Sequence, residues 1–223
     1  MSESRKYFPR GDEELLEKIN QDSTALYADK TYERLMAYAK QVGLDLYKPT
    51  RYDGIDLPSL WQIAEDCVNK ALALPIIPSV VHGDLCFSNI MYDSRSNSIK
   101  VIDPRGLNIH QELTIYGNQS YDLAKLCHSF IGLYDFIIAD SFNLEKNNDI
   151  GVKLTFNLDA RLEKIQAVFM KQLVIPNIQH EDIIAPTILL FLSMIPLHYD
   201  KPHRQDAMLA NALRLYRTFM IKS

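Results

Sequence analysis

The sequence has few glycines, few cysteines, no surplus of positive charge and no long apolar run, and each scarcity excludes a class of protein. Its 223 residues include eight glycines, and no two stand closer than eleven positions. A glycine-rich loop that cradles phosphate with its backbone amides is therefore absent. The three cysteines, Cys67, Cys86 and Cys127, are widely spaced and form no C-x-x-C pair. That excludes a disulfide framework and points to buried thiols in a reducing compartment. Lys and Arg number 24 against 28 Asp and Glu, for a net charge of −4, so the chain has no basic footprint for nucleic acid. An anionic ligand must be held by local groups or a metal. The opening MSESRKYF carries no apolar stretch of the signal-peptide kind. The longest greasy run, Ile183 to Leu197, is short for a bilayer and contains Pro186 and Pro196. It is expected to be a core helix, and the protein to be cytoplasmic without a membrane partner.

What is present suits one globular domain over residues 1–223: 47% of the residues are hydrophobic and 23% charged. Most of the chain has helical periodicity. Asp12 is placed to cap a first helix, and a second is expected from about Thr24 to Val42, ended by Gly43. A loop with Pro49, Gly54 and Pro58 follows. Leu60, Ile63, Ala64, Cys67, Val68, Ala71 and Leu72 then recur at helical spacing up to Pro75. The period changes after Pro75. Val80–Val81 is extended, and Ile90-Met91-Tyr92 and Ile99-Lys100-Val101-Ile102 flank the polar turn DSRSNS, which predicts a β-hairpin. Helical spacing returns after Gly117, with Ser120 as cap and apolar residues out to Ile137 on one side, and again near 157–173, 181–195 and 203–220. The expected fold class is mainly α (α+β): a helical bundle with one small hairpin.

The polar groups concentrate on that hairpin, in VVHGDLCFSNIMYDSRSNSIKVIDPRG, residues 80 to 106. Asp84 and Asn89 stand in the order H-G-D-x-x-x-x-N, and Asp103 follows the second strand. A loop before the first strand can hold a base, and the start of that strand can present an amide oxygen. The antiparallel partner returns a carboxylate to the same end. Asn89 and Asp103 would give Mg²⁺ the few hard oxygens it prefers beside phosphate and water, and phosphoryl transfer needs little more than positioning and charge neutralisation.

The segments HGDLCFSNIMYD, IKVIDPRG and YGNQSYDLAKL resemble the C-terminal lobe of the aminoglycoside phosphotransferase and choline kinase family, which has a protein-kinase-like fold. The resemblance implies transfer of a phosphoryl group from ATP or another nucleoside triphosphate to a hydroxyl of a small molecule, with Mg²⁺ as cofactor. It further implies that Asp84 is the catalytic base, Asn89 and Asp103 the metal ligands, His82 a structural member of the loop, and Asp122 a carboxylate bracing that loop. As a bare sequence feature, Asp122 equally suits a first-turn carboxylate favoured by the helix dipole. Arg105, where many members carry an acid, has the chemistry to grip an anionic substrate group or a phosphate. The variant IDPRG is similar to phosphotransferase-like domains in capsule and surface-polysaccharide genes.

The departures are as informative. Only 79 residues precede Val80, and no strand of the V-A-I-K type presents a lysine, so the nucleotide-binding lobe is not evident. Several readings stand beside the plain kinase: a non-catalytic module, a partner-dependent lobe completed by a second copy or a separate chain, a piece of a longer protein, or a member using a different phosphate donor. Outside the hairpin, HYDKPHR (198–204) is expected to be a polar loop rather than a zinc site, and Tyr27, Tyr32, Tyr38 and Tyr47 to be amphipathic packing.

Overall fold

Asp12 starts the first helix as its sequence position requires, its Oδ1 accepting from Leu15 N at 2.9 Å, with Glu13 and Glu14 in the favoured acidic first turn. The computed structural model describes residues 7–9, 11–172, 175 and 177–221; the stretch MSESRK and position 173 lie outside them. Helix α1 (Glu13–Thr24) does not end before the second. It passes through one π-helical turn, Ala25–Asp29, into α2 (Lys30–Val42), which stops at Gly43 with φ +69°. A π turn widens the helix and re-aims the side chains beyond it.

The expected loop around Gly54 is instead a hairpin, β1 (Pro49–Tyr52) and β2 (Ile55–Ser59). Asp53 and Gly54 both have positive φ, the geometry of a tight hairpin turn. A second unexpected pair, β7 (Asn143–Asn147) and β8 (Gly151–Thr155), joins it. The four strands form one sheet in the order β2-β1-β8-β7, with Tyr52 facing Val152 in the single parallel contact. The correction has a physical reason. Glu145, Lys146 and the asparagines of β7 have poor strand propensity, and the pairing that holds them is distant in sequence. At Gly151, φ is +69° and an added Cβ would lie 2.2 Å from the Arg51 carbonyl oxygen. Gly151→Ala should therefore cost about 2 kcal/mol or more, read as a shift of the denaturation midpoint.

Helix α3 (Leu60–Leu72), capped by Ser59, buries Leu60, Ile63, Ala64, Cys67, Val68 and Ala71. The central element is α7 (Ile184–Met194), nearly all of whose side chains are buried. It packs on α2, α3, α4 (Gln119–Phe130) and α8 (Pro202–Leu215). A helix apolar on every side belongs inside. With its flanking 3₁₀ turns it spans Glu181–His198, 18 residues. That is longer than the expected run and long and apolar enough by composition to cross a membrane; its 67% burial within the fold makes it the core helix.

Asn118, not Ser120, caps α4: its Oδ1 accepts from Ile77 N, Ser120 N and Ser120 Oγ at 3.1, 3.3 and 2.8 Å. It ends β6 (Tyr116–Asn118), which pairs with β3 (Pro78–Val80), so its extended backbone suits the cap position. Asn118→Ala should cost about 1–2 kcal/mol, measured by chemical denaturation. The expected helix to Ile137 is broken into α4 and α5 (Tyr134–Ile138). At Gly132 a Cβ would sit 2.5 Å from Phe191 Cε2, so α7 approaches too closely for a side chain there. Helix α6 (Ala160–Lys171) completes the fold beside the expected hairpin, β4 (Ile90–Asp93) and β5 (Ser98–Val101). Helix covers 54% and strand 18%, so the protein is α-rich with small sheets.

Candidate functional site

The loop between β3 and β4 is fixed from three directions. From α4, Asp122 accepts from His82 N at 2.7 Å and from Gly83 N at 2.8 Å, one bond to each carboxylate oxygen. Asp122 is buried. Burial raises its pKa, the two N–H bonds and the positive groups nearby oppose that, and the net direction is up. Across the loop, His82 Nε2 lies 2.8 Å from Ile102 O, and Asp84 N donates to His82 Nδ1 at 3.3 Å. Arg105 N donates to His82 O at 2.9 Å. Gly83 has φ +78°, and an added Cβ would meet Arg105 Cβ at 2.9 Å, so glycine suits the close approach of the segment that follows β5.

The hairpin brings the two ends of the motif together. Ile90 faces Val101 in the β4–β5 register, and Ile102 N donates to Asn89 O at 3.0 Å. A 3₁₀ turn, Phe87–Asn89, precedes β4. Inside it, Asn89 Nδ2 donates to Asp84 O at 2.8 Å and to Asp84 Oδ2 at 3.2 Å. The amide oxygen of Asn89 accepts no hydrogen bond from the described residues. Asp103 holds a left-handed backbone, φ +56°, which a non-glycine residue adopts at a cost and most often at functional sites. Its carboxylate is exposed and has no hydrogen-bond or ion-pair partner among the described residues.

Sequence reading missed Lys125. It lies one helical turn after Asp122 on α4, and its Nζ meets Asp84 Oδ1 at 2.8 Å with only 9% of its side chain exposed. The same face of α4 thus holds the loop backbone through one residue and the central carboxylate through another. The i, i+3 spacing was the available signal. Burial alone raises the Asp84 pKa; Lys125, Arg105 and Asn89 outweigh it and hold the carboxyl below the usual range. Lys125 moves the other way: burial lowers it, but Tyr121 and Asp84 bring it above the ordinary lysine value. Both directions describe one ion pair.

Asp84, Asp103, Arg105 and Lys125 line a cleft of about 810 Å³, roofed partly by Lys30 and Arg34 of α2. His82, Asn89 and Asp122 are not among the residues that line it; they hold the loop that carries Asp84. Arg105 is turned to Tyr121, donating to its hydroxyl at 3.1 Å with the guanidinium carbon 5.2 Å from the ring centre, and among the described residues it forms no ion pair with Asp103. Lys30 and Arg34 were also missed; they come from a segment 50 or more positions before Asp84, and only their helical i, i+4 spacing marked them.

The remaining candidates fall outside the cleft. His203 and Arg204 of HYDKPHR both bind Asp140, at 2.8 and 2.7 Å. No group of three or more His, Cys, Asp or Glu at metal-binding distance occurs among the described residues. Tyr27 and Tyr38 are core residues, and Tyr32 and Tyr47 pack on Trp61 at 4.9 and 5.5 Å. Compared with protein-family models, with curated proteins and with solved structures, the chain gives no match.

Proposed function

We propose that this chain is a phosphotransferase with a protein-kinase-like C-lobe, of the aminoglycoside phosphotransferase and choline kinase type. It moves a phosphoryl group from a nucleoside triphosphate to the hydroxyl of a small molecule. One observation carries the reading: Asp84 and Asn89 are hydrogen-bonded to each other, and the hairpin returns an unpartnered Asp103 carboxylate to the same end.

In this reading Asp84 orients the acceptor hydroxyl and takes up its proton as the new bond forms. Lys125 fixes the Asp84 carboxylate and keeps it ionised. His82 and Asp122 hold the loop so that Asp84 faces the cleft, and Arg105 stands beside it as a fixed positive charge. The donor set fits Mg²⁺: a free carboxylate on Asp103 and the unbonded amide oxygen of Asn89 are hard oxygens, too few for an all-protein cage and sufficient for a metal that keeps water and phosphate ligands. When bound there, Mg²⁺ would neutralise charge on the donor phosphates. Three free buried cysteines suit a cytoplasmic setting, and surface-polysaccharide biosynthesis is the setting we favour.

A second reading is a partner-dependent or non-catalytic module. It is favoured by the hairpin's exposed apolar side chains: Met91, Tyr92, Ile99, Val101 and Ile102 are 45–70% exposed, beside the site and uncovered. The residues before the loop pack as α1, α2 and α3 against the helical body, and their strands join β7 and β8. The test is transfer of labelled γ-phosphate from ATP to a panel of sugars, aminoglycosides, choline and nucleosides. Transfer to one class supports the first reading. No transfer and no ATP hydrolysis across the panel supports the second.

A further inference from the structure

The roof of the cleft is unusual for a protein of net charge −4. Lys30 and Arg34 lie one turn apart on α2 and line the cleft with Arg105 and Lys125. Lys125 is paired with Asp84. Arg105 is engaged with Tyr121, and Arg34 donates from Nη1 to Ser193 O at 2.9 Å. The side chain of Lys30 has no hydrogen bond and no ion pair among the described residues, though the residue is half-buried. A lysine withdrawn from water without a partner is rare unless something else satisfies it.

The positive groups of the cleft act on Lys30 and on Tyr121 in the same direction. Burial pushes the Lys30 amine down to about 8; the positive charges of Arg105, Arg34 and Lys125 add to that, and only Tyr121 opposes it. Burial also pushes the Tyr121 phenol up, yet Lys125, Arg105 and Lys30 together bring it below its ordinary value. The cleft does hold acids. Asp84 is taken by Lys125, Asp103 stands free, and Asp29 and Glu33 of the α2 segment are exposed and form no ion pair with Lys30 or Arg34 among the described residues. The π turn immediately before Lys30 sets the rotation that turns Lys30 and Arg34 toward the catalytic loop.

We infer that Lys30 and Arg34, with Arg105, form an anion subsite that takes phosphate groups of the ligand bound in the cleft. The inference deepens the proposed phosphotransferase reading and rests on it for its setting. It gives α2 the task that a glycine-rich loop performs elsewhere, in a chain whose eight glycines form no such loop. The phosphates can belong to a nucleoside triphosphate or to a phosphorylated acceptor; the chemistry recognised is the same, two or more cations converging on phosphate oxygens.

The test is calorimetric titration of the full chain with tripolyphosphate in EDTA, compared with Lys30→Gln and with Asp103→Asn. The Lys30 side chain has no hydrogen bond or ion pair among the described residues for its replacement to break, so Lys30→Gln should melt close to the wild type. The expected result is metal-free binding that weakens about tenfold or more in Lys30→Gln and persists in Asp103→Asn. Lys30→Arg, which keeps the charge, should retain most of it. Displacement of tripolyphosphate by ATP assigns the subsite to the donor; displacement by glucose 6-phosphate and not by ATP assigns it to a phosphorylated acceptor. No metal-free binding by the wild type, or equal binding by Lys30→Gln, overturns the inference. Because the titration needs neither Mg²⁺ nor turnover, its failure is separable from failure of the phosphotransferase reading: a chain that transfers phosphate but ignores tripolyphosphate keeps the reading and loses the subsite.

Discussion

Asp84→Asn should lower the turnover number for phosphoryl transfer by about 10²–10⁴-fold, the usual worth of a positioned general base, with little change in KM. The asparagine oxygen can still accept from Lys125, so the buried lysine keeps a partner and the fold persists; what is lost is the group proposed to receive the hydroxyl proton. The split between kcat and KM separates this from a structural effect, which would move both together with the melting temperature. The pH profile supplies a second check. In the proposed mechanism the ionised carboxylate is the working form, and its pKa lies below the usual range because Lys125, Arg105 and Asn89 outweigh burial. As pH falls, activity should therefore persist below the ordinary carboxylate range before Asp84 is protonated. Lys125→Met removes the largest opposing charge, so the acid limb should shift to higher pH.

Phe191→Ala should be the most damaging single truncation in the core, costing about 3–5 kcal/mol. Phe191 is fully buried on α7, its ring centre lies 4.1 Å from that of His128, and it fills the space over Gly132 that no side chain can share. Its removal leaves a cavity where α4, α5 and α7 meet, directly behind the helix that carries Asp122 and Lys125. For a domain of this size that loss corresponds to a fall in Tm of about 6–20 °C. A scan that moved by only a degree or two would mean that the neighbouring helices close over the gap.

The legible part of this protein was the part encoded locally. Asp84, Asn89 and Asp103 span twenty positions around one polar turn, and the pleat of a hairpin dictates that its two ends meet. Asp12 and Gly43 were legible for the same reason, since a cap is a short-range interaction. The sheet was not. Tyr52 and Val152 are 100 positions apart, and β7 is too polar to announce itself as a strand. Lys125 and Lys30 were missed because each gains its meaning from the loop it faces, not from its own neighbours. Gly132 shows the limit most plainly. The apolar period continues past it, yet the helix breaks at Leu133, whose φ is +56°, beside the close approach of Phe191 to Gly132.

The most direct measurement of the central claim is calorimetric titration of the intact chain with ATP in the presence and absence of Mg²⁺, alongside Asp103→Asn. A phosphotransferase cleft predicts that Mg²⁺ tightens ATP binding about tenfold or more in the wild type and not in the variant, because the free carboxylate of Asp103 would be a ligand for the metal. No ATP binding, or binding that neither Mg²⁺ nor the Asp103 substitution alters, would contradict it.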